Sequence, residues 1–83
     1  MEKILVEIYI PSANRSLDMK IPKYIELYKI ISNLSVAVEQ ITDGAYQARE
    51  DSILCDYSTE NILNINLSAK ELKIRNGSKL ILI

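Results

Sequence analysis

Apolar and polar residues alternate near the start of the chain. In KILVEIYI (3–10), Ile4, Val6, Ile8 and Ile10 fall on one side and Leu5, Glu7 and Tyr9 on the other. A period of two with many β-branched residues predicts a strand. Residues 11–15, PSANR, carry turn chemistry. SLDMKI (16–21) alternates again, with Leu17, Met19 and Ile21 inward and Asp18 and Lys20 outward, so the first two strands form a hairpin. Pro22 ends the second strand. From about 25 to 41 the period changes: Leu27, Ile30, Ile31, Leu34, Val38 and Ile41 recur at three- and four-residue spacings. That pattern predicts an amphipathic helix, stopped by Thr42-Asp43-Gly44 with Gly44 as a left-handed cap.

The rest of the chain is patterned in shorter pieces. Residues 45–51, AYQARED, read as a polar loop, SILCDY (52–57) as a strand, STEN (58–61) as a turn and ILNIN (62–66) as a weaker strand. Ser68 with Glu71 three residues on is a capping box, which starts a short helical turn. Asn76-Gly77 turns the chain into a last strand, SKLILI (78–83). A hairpin followed by one helix buries one face of a sheet. The last strand finds its apolar slot beside and parallel to the first, across a right-handed connection. The expected architecture is α+β: a mixed sheet of four to five strands packed on one helix, with the last strand central. Leu80 and Leu82 then point at the helix, and Ile81 and Ile83 point to the open face. Removing the last strand is expected to unfold the domain.

Length and composition narrow the picture. With 83 residues, the whole chain (1–83) is expected to be a single domain. A net charge of −1, with no run of basic residues, argues against nucleic acid as a partner and against electrostatic docking on anionic lipid. No stretch is apolar enough to insert in a membrane. One cysteine precludes an internal disulfide, and the opening residues do not read as a signal peptide, so the expected location is cytoplasmic.

The chemistry sought in the sequence is missing. There is no histidine, so Ser-His and Cys-His nucleophile pairs cannot form. Cys55 reads as a small apolar strand residue. Glu50-Asp51 reads as solvated loop, and two glycines cannot build a phosphate loop. The four Asn-x-Ser matches, at Asn14, Asn33, Asn66 and Asn76, are background, and Tyr24 and Tyr28 read as core or edge packing. The expectation is therefore no enzyme activity, no cofactor and no metal.

Two stretches carry a family resemblance. LDMKIPKYIELYKIISNL (17–34) is similar to the second strand, proline-containing link and helix start of the YukD/EsaB ubiquitin-like proteins of type VII secretion systems in Gram-positive bacteria. LSAKELKIRNGSKLILI (67–83) resembles their closing pattern, although the segment between Ser68 and Ile74 is longer than theirs. The resemblance covers nearly the whole chain and implies a ubiquitin-like β-grasp fold. It also implies a non-conjugating adaptor or regulator that binds protein partners, among them the ATPase or a membrane subunit of the secretion apparatus, and sits at the inner face of the membrane through them. Conjugation and sulfur carriage need a flexible arm ending in Gly-Gly, and no glycine follows Gly77. The alternatives are a carrier modified at its C-terminus, or a generic homodimerisation module.

The face opposite the helix is the expected binding surface. Leu5 and Tyr9 from the first strand, Ile81 and Ile83 from the last, and Leu54 or its neighbours from the third are its candidate protein-binding residues. Alternation permits either Leu54 alone, or Ile53 and Cys55, to face inward. Contiguous apolar patches of this kind mark interaction sites. Burying about 300 Å² at roughly 25 cal/mol per Å² offers about 7 kcal/mol gross. Association entropy consumes much of that, which suits a weak, reversible contact or a weak homodimer.

Overall fold

The computed structural model describes residues 2–83. Strand β1 (Lys3–Ile10) turns through a single 3-10 turn at Pro11–Ala13 into β2 (Arg15–Pro22). Asn14 closes that turn in the left-handed region (φ 51°), and its amide donates to the Pro11 carbonyl at 3.1 Å. The two strands pair antiparallel from Lys3 opposite Pro22 to Ile10 opposite Arg15. Helix α1 (Leu27–Ile41) follows, then β3 (Leu54–Asp56) and β4 (Lys79–Leu82). The sheet order is β2-β1-β4-β3, with β4 parallel to β1 and antiparallel to β3. The last strand is thus central, as its apolar alternation requires.

The core lies between the sheet and α1. Ile4, Val6, Ile8, Ile10, Leu80 and Leu82 pack against Leu27, Ile31, Leu34 and Val38 of the helix. The helix differs from the expected stripe at its end. Ile41 is 48% exposed, while Ser35 and Thr42 are buried. The buried arc is displaced toward two hydroxyl residues that a count of apolar positions passes over. Each hydroxyl is satisfied locally: Ser35 Oγ donates to the Ser32 carbonyl at 2.9 Å, and Thr42 Oγ1 to the Val38 carbonyl at 2.8 Å. Burial therefore leaves neither hydroxyl unpaired.

The helix begins at Leu27 without a capping side chain. Its first amides are met from a distant segment instead: Leu27 donates to the Leu67 carbonyl at 3.0 Å and Tyr28 to the Ile65 carbonyl at 2.9 Å. This use of the 65–67 backbone explains why ILNIN is not a strand. Only Ile62 bridges to β3, opposite Cys55. Asn64 then folds the chain with an Asx turn, its Oδ1 accepting from the Asn66 amide at 3.0 Å. The sheet accordingly has four strands. The capping box forms as expected, with the Ser68 amide donating to Glu71 Oε1 at 3.0 Å and the Glu71 amide to Ser68 Oγ at 3.2 Å.

The 45–51 loop is less polar in practice than in sequence. Tyr46 is buried in the core, and its hydroxyl lies 2.6 Å from Ser52 Oγ. Its amide donates to Thr42 Oγ1 at 3.1 Å. Tyr24 and Tyr28, expected to pack, are instead exposed at 57% and 48%. Tyr24 precedes the helix, which begins at Leu27.

Candidate functional site

The strand register sorts the open face into rows. Tyr9 is opposite Ile81 and Ile81 is opposite Cys55, which in turn bridges Ile62. This gives an unbroken row of Tyr9, Ile81, Cys55 and Ile62 across the sheet. Toward the end of β4, the Ile53 and Ile83 amides each donate to the other's carbonyl at 2.9 Å, placing those two isoleucines side by side. On the other side of the row, Glu7 is opposite Lys79, and the Tyr57 amide donates to the Lys79 carbonyl at 3.0 Å.

Contacts within the face hold it in shape. The Tyr9 and Tyr57 rings meet edge to face at 6.2 Å between centroids. Such pairs contribute about 0.5–1.5 kcal/mol beyond area burial. Tyr9 Oη lies 3.1 Å from Asn14 Oδ1 and donates to it, tying the ring to the left-handed turn. Lys79 Nζ sits 5.8 Å from the centre of the Tyr57 ring and 3.9 Å from Glu7 Oε2. Ile83, Tyr57 and Ile62 remain exposed at 49%, 48% and 69%. Beyond Ile83 the surface dips into a hollow of ≈ 300 Å³ bounded by Pro11, Tyr46, Arg49 and Leu82.

The structure brings Tyr9, Ile81 and Ile83 together and separates the other two candidate residues from them. Leu5 is on the same face and 43% exposed, but the charged Glu7–Lys79 row stands between it and Tyr9 and Ile81. Leu54 does not belong to the face. It is opposite Leu82 and 1% exposed, inside the core. The choice left open by alternation thus resolves with Leu54 inward and Ile53, Cys55 and Tyr57 outward. Tyr57, Ile53 and Ile62 complete the surface in place of Leu54.

Two ionisable groups of β3 are shifted, Cys55 on the open face and Asp56 on the other side of the strand, opposite Leu80. Burial pushes the Cys55 thiol up, with the nearby Glu60 charge adding to the effect, so the thiol stays protonated at neutral pH. Asp56 is held below its ordinary range by hydrogen bonds from the Ser58 amide at 2.8 Å and hydroxyl at 2.9 Å. Those bonds make a structural Asx turn. Among the described residues, no group of three or more His, Cys, Asp or Glu side chains could hold a metal ion, and no helix is long and apolar enough to cross a membrane.

A hairpin, a helix laid across it, and a last strand inserted parallel to the first make a ubiquitin-like β-grasp of the α+β class. Solved structures that share it include ubiquitin-like domains of type VII secretion proteins and, with a TM-score of 0.70 at 12% identity, the ubiquitin of Caldiarchaeum subterraneum. The EccD5 ubiquitin-like domain from Mycobacterium xenopi matches with a TM-score of 0.82 at 19% identity, covering 100% of this chain and 94% of that one. The ubiquitin-like domain of the Mycobacterium tuberculosis type VII secretion protein ECCD1 matches with a TM-score of 0.83 at 15% identity, covering 100% and 99%. A chain of the MycP5-free ESX-5 inner membrane complex matches with a TM-score of 0.81 at 12% identity, over 100% of this chain and 21% of that one. Identities this low speak for the fold alone. No protein-family model matches the chain, and a sequence search against curated proteins finds no match.

Proposed function

We propose that this protein is a non-conjugating ubiquitin-like adaptor of a type VII secretion apparatus, of the YukD/EsaB kind. It acts by docking the face formed by Tyr9, Tyr57, Ile81 and Ile83 non-covalently on a larger component of the machinery. The observation that carries the proposal is the apolar open face, where Tyr57, Ile62 and Ile83 stand exposed around the half-buried Tyr9 and Ile81, in a fold whose solved neighbours include domains of type VII secretion proteins. A sheet face that merely met water would alternate to polar residues there. The partner is the secretion ATPase or a multipass subunit, and the site of action is the cytoplasmic side of the membrane. The resemblance of the inner membrane complex chain supports that placement.

The test is a reconstituted capture experiment. Immobilised protein is mixed with the purified ATPase and, separately, with the multipass subunit of the host's type VII apparatus in mild detergent. Wild type is expected to retain one of them. Ile83→Asp combined with Tyr57→Ala is expected to lose it while keeping the wild-type circular dichroism spectrum. Equal retention by both forms would remove the sheet face from the mechanism, and no retention of either component by wild type would overturn the secretion role.

A further inference from the structure

A second surface lies where the start of β1 meets the turn before β4. Lys23, Lys70, Lys73 and Arg75 surround a pocket of ≈ 340 Å³. These are four of the ten basic residues of a chain whose net charge is −1. Lys70, Lys73 and Arg75 make no ion pair with any described residue. Glu71, their sequence neighbour, has its Oε1 accepting from the Ser68 amide.

The same pocket already has one carboxylate at its rim. Glu2 Oε2 lies 3.0 Å from Lys23 Nζ, and its Oε1 lies 3.4 Å from the Tyr24 hydroxyl. The hydrogen bond and charge of Lys23 hold the Glu2 carboxyl below its ordinary range, and the charge of Lys70 adds to the effect. The chain's own side chain thus shows which chemistry the pocket attracts.

We propose that this pocket binds an acidic peptide segment of a protein partner, with Lys70, Lys73 and Arg75 taking its carboxylates and Lys23 shared with Glu2. The donors on offer favour that ligand over phosphate. Compact phosphate sites use convergent backbone amides. Here the amides of residues 70, 73 and 74 donate to the carbonyls of Lys23, Lys70 and Ala69, and that of Arg75 to Ser78 Oγ at 2.9 Å. What remains is a spread of mostly ammonium groups on long stems, which suits carboxylates strung along an extended chain. The floor favours a peptide over a membrane surface. Ile4 and Ile74 line it but are 4% and 8% exposed, so they accept methylene stems and have nothing to insert in lipid.

Fluorescence anisotropy with a labelled hexaglutamate peptide tests the proposal at low ionic strength. Wild type is expected to bind, more weakly as salt rises. Lys70→Glu with Lys73→Glu should lower the affinity about tenfold, whereas Arg15→Glu, at the opposite end of the sheet, should leave it within about twofold. Glu2→Gln should tighten binding by freeing Lys23, and Asp43→Asn, a neutralisation at the far end of the helix, should not. Lys70→Gln serves if the double reversal fails to fold, and should weaken binding about twofold. Equal weakening by Arg15→Glu, or no tightening by Glu2→Gln, would reduce the effect to net charge and overturn the site. Cosedimentation with phosphatidylserine-containing vesicles in place of peptide binding would overturn the assignment of ligand. None of these readouts depends on the secretion apparatus.

Discussion

Single side chains decide several local properties of this protein. Asp56 is the clearest. Its carboxylate accepts from the Ser58 amide and hydroxyl, so the folded chain binds its proton less tightly than the unfolded chain. The stabilisation is therefore present above the ordinary carboxylate range and is lost as pH falls through the folded value. Ser58→Ala should move the Asp56 titration midpoint upward, toward its ordinary value, in a carboxyl-detected NMR titration. Tyr46 is a second case. Its hydroxyl is buried against Ser52 Oγ, and Tyr46→Phe should lower stability by about 1 kcal/mol in urea denaturation.

At the level of elements, the contrast between Val38 and Ile41 is instructive. Both fit an apolar stripe by spacing, yet Val38 is 0% exposed and Ile41 is 48% exposed. Ile41→Glu should change stability by less than about 0.5 kcal/mol, while Val38→Glu, which buries an unpaired charge, should abolish cooperative unfolding. The same contrast shows what the sequence reveals. Long alternating or helical runs are legible, so β1, β2, α1 and β4 stand where the period puts them. Tyr9, Ile81 and Ile83 share a face for the same reason. The parity of β3 is not legible, because Ile53, Leu54 and Cys55 are apolar in succession. Only the pairing of Leu54 with Leu82 settles which of them faces out. Tyr57 and Ile62 were hidden behind that choice. The helix start was hidden for another reason: its first amides are met by the carbonyls of Ile65 and Leu67, and no local residue signals such a partner.

For the whole molecule, the position of β4 sets the terms of stability. Leu80 and Leu82 are buried between β1 and β3, so Leu82→Ala should cost about 2–5 kcal/mol in chemical denaturation. Deleting residues 79–83 should leave a chain without a cooperative thermal transition. The interior pairing also has a kinetic consequence. Ile8 and Leu80 are neighbours in space but come from opposite ends of the polypeptide. Closing so long a loop is entropically costly before any contact rewards it, and such topologies fold slowly for their size. During synthesis, the β1–β2 hairpin and helix would emerge with the slot for β4 vacant, their apolar flank open to chaperones until translation delivers the strand that seals it.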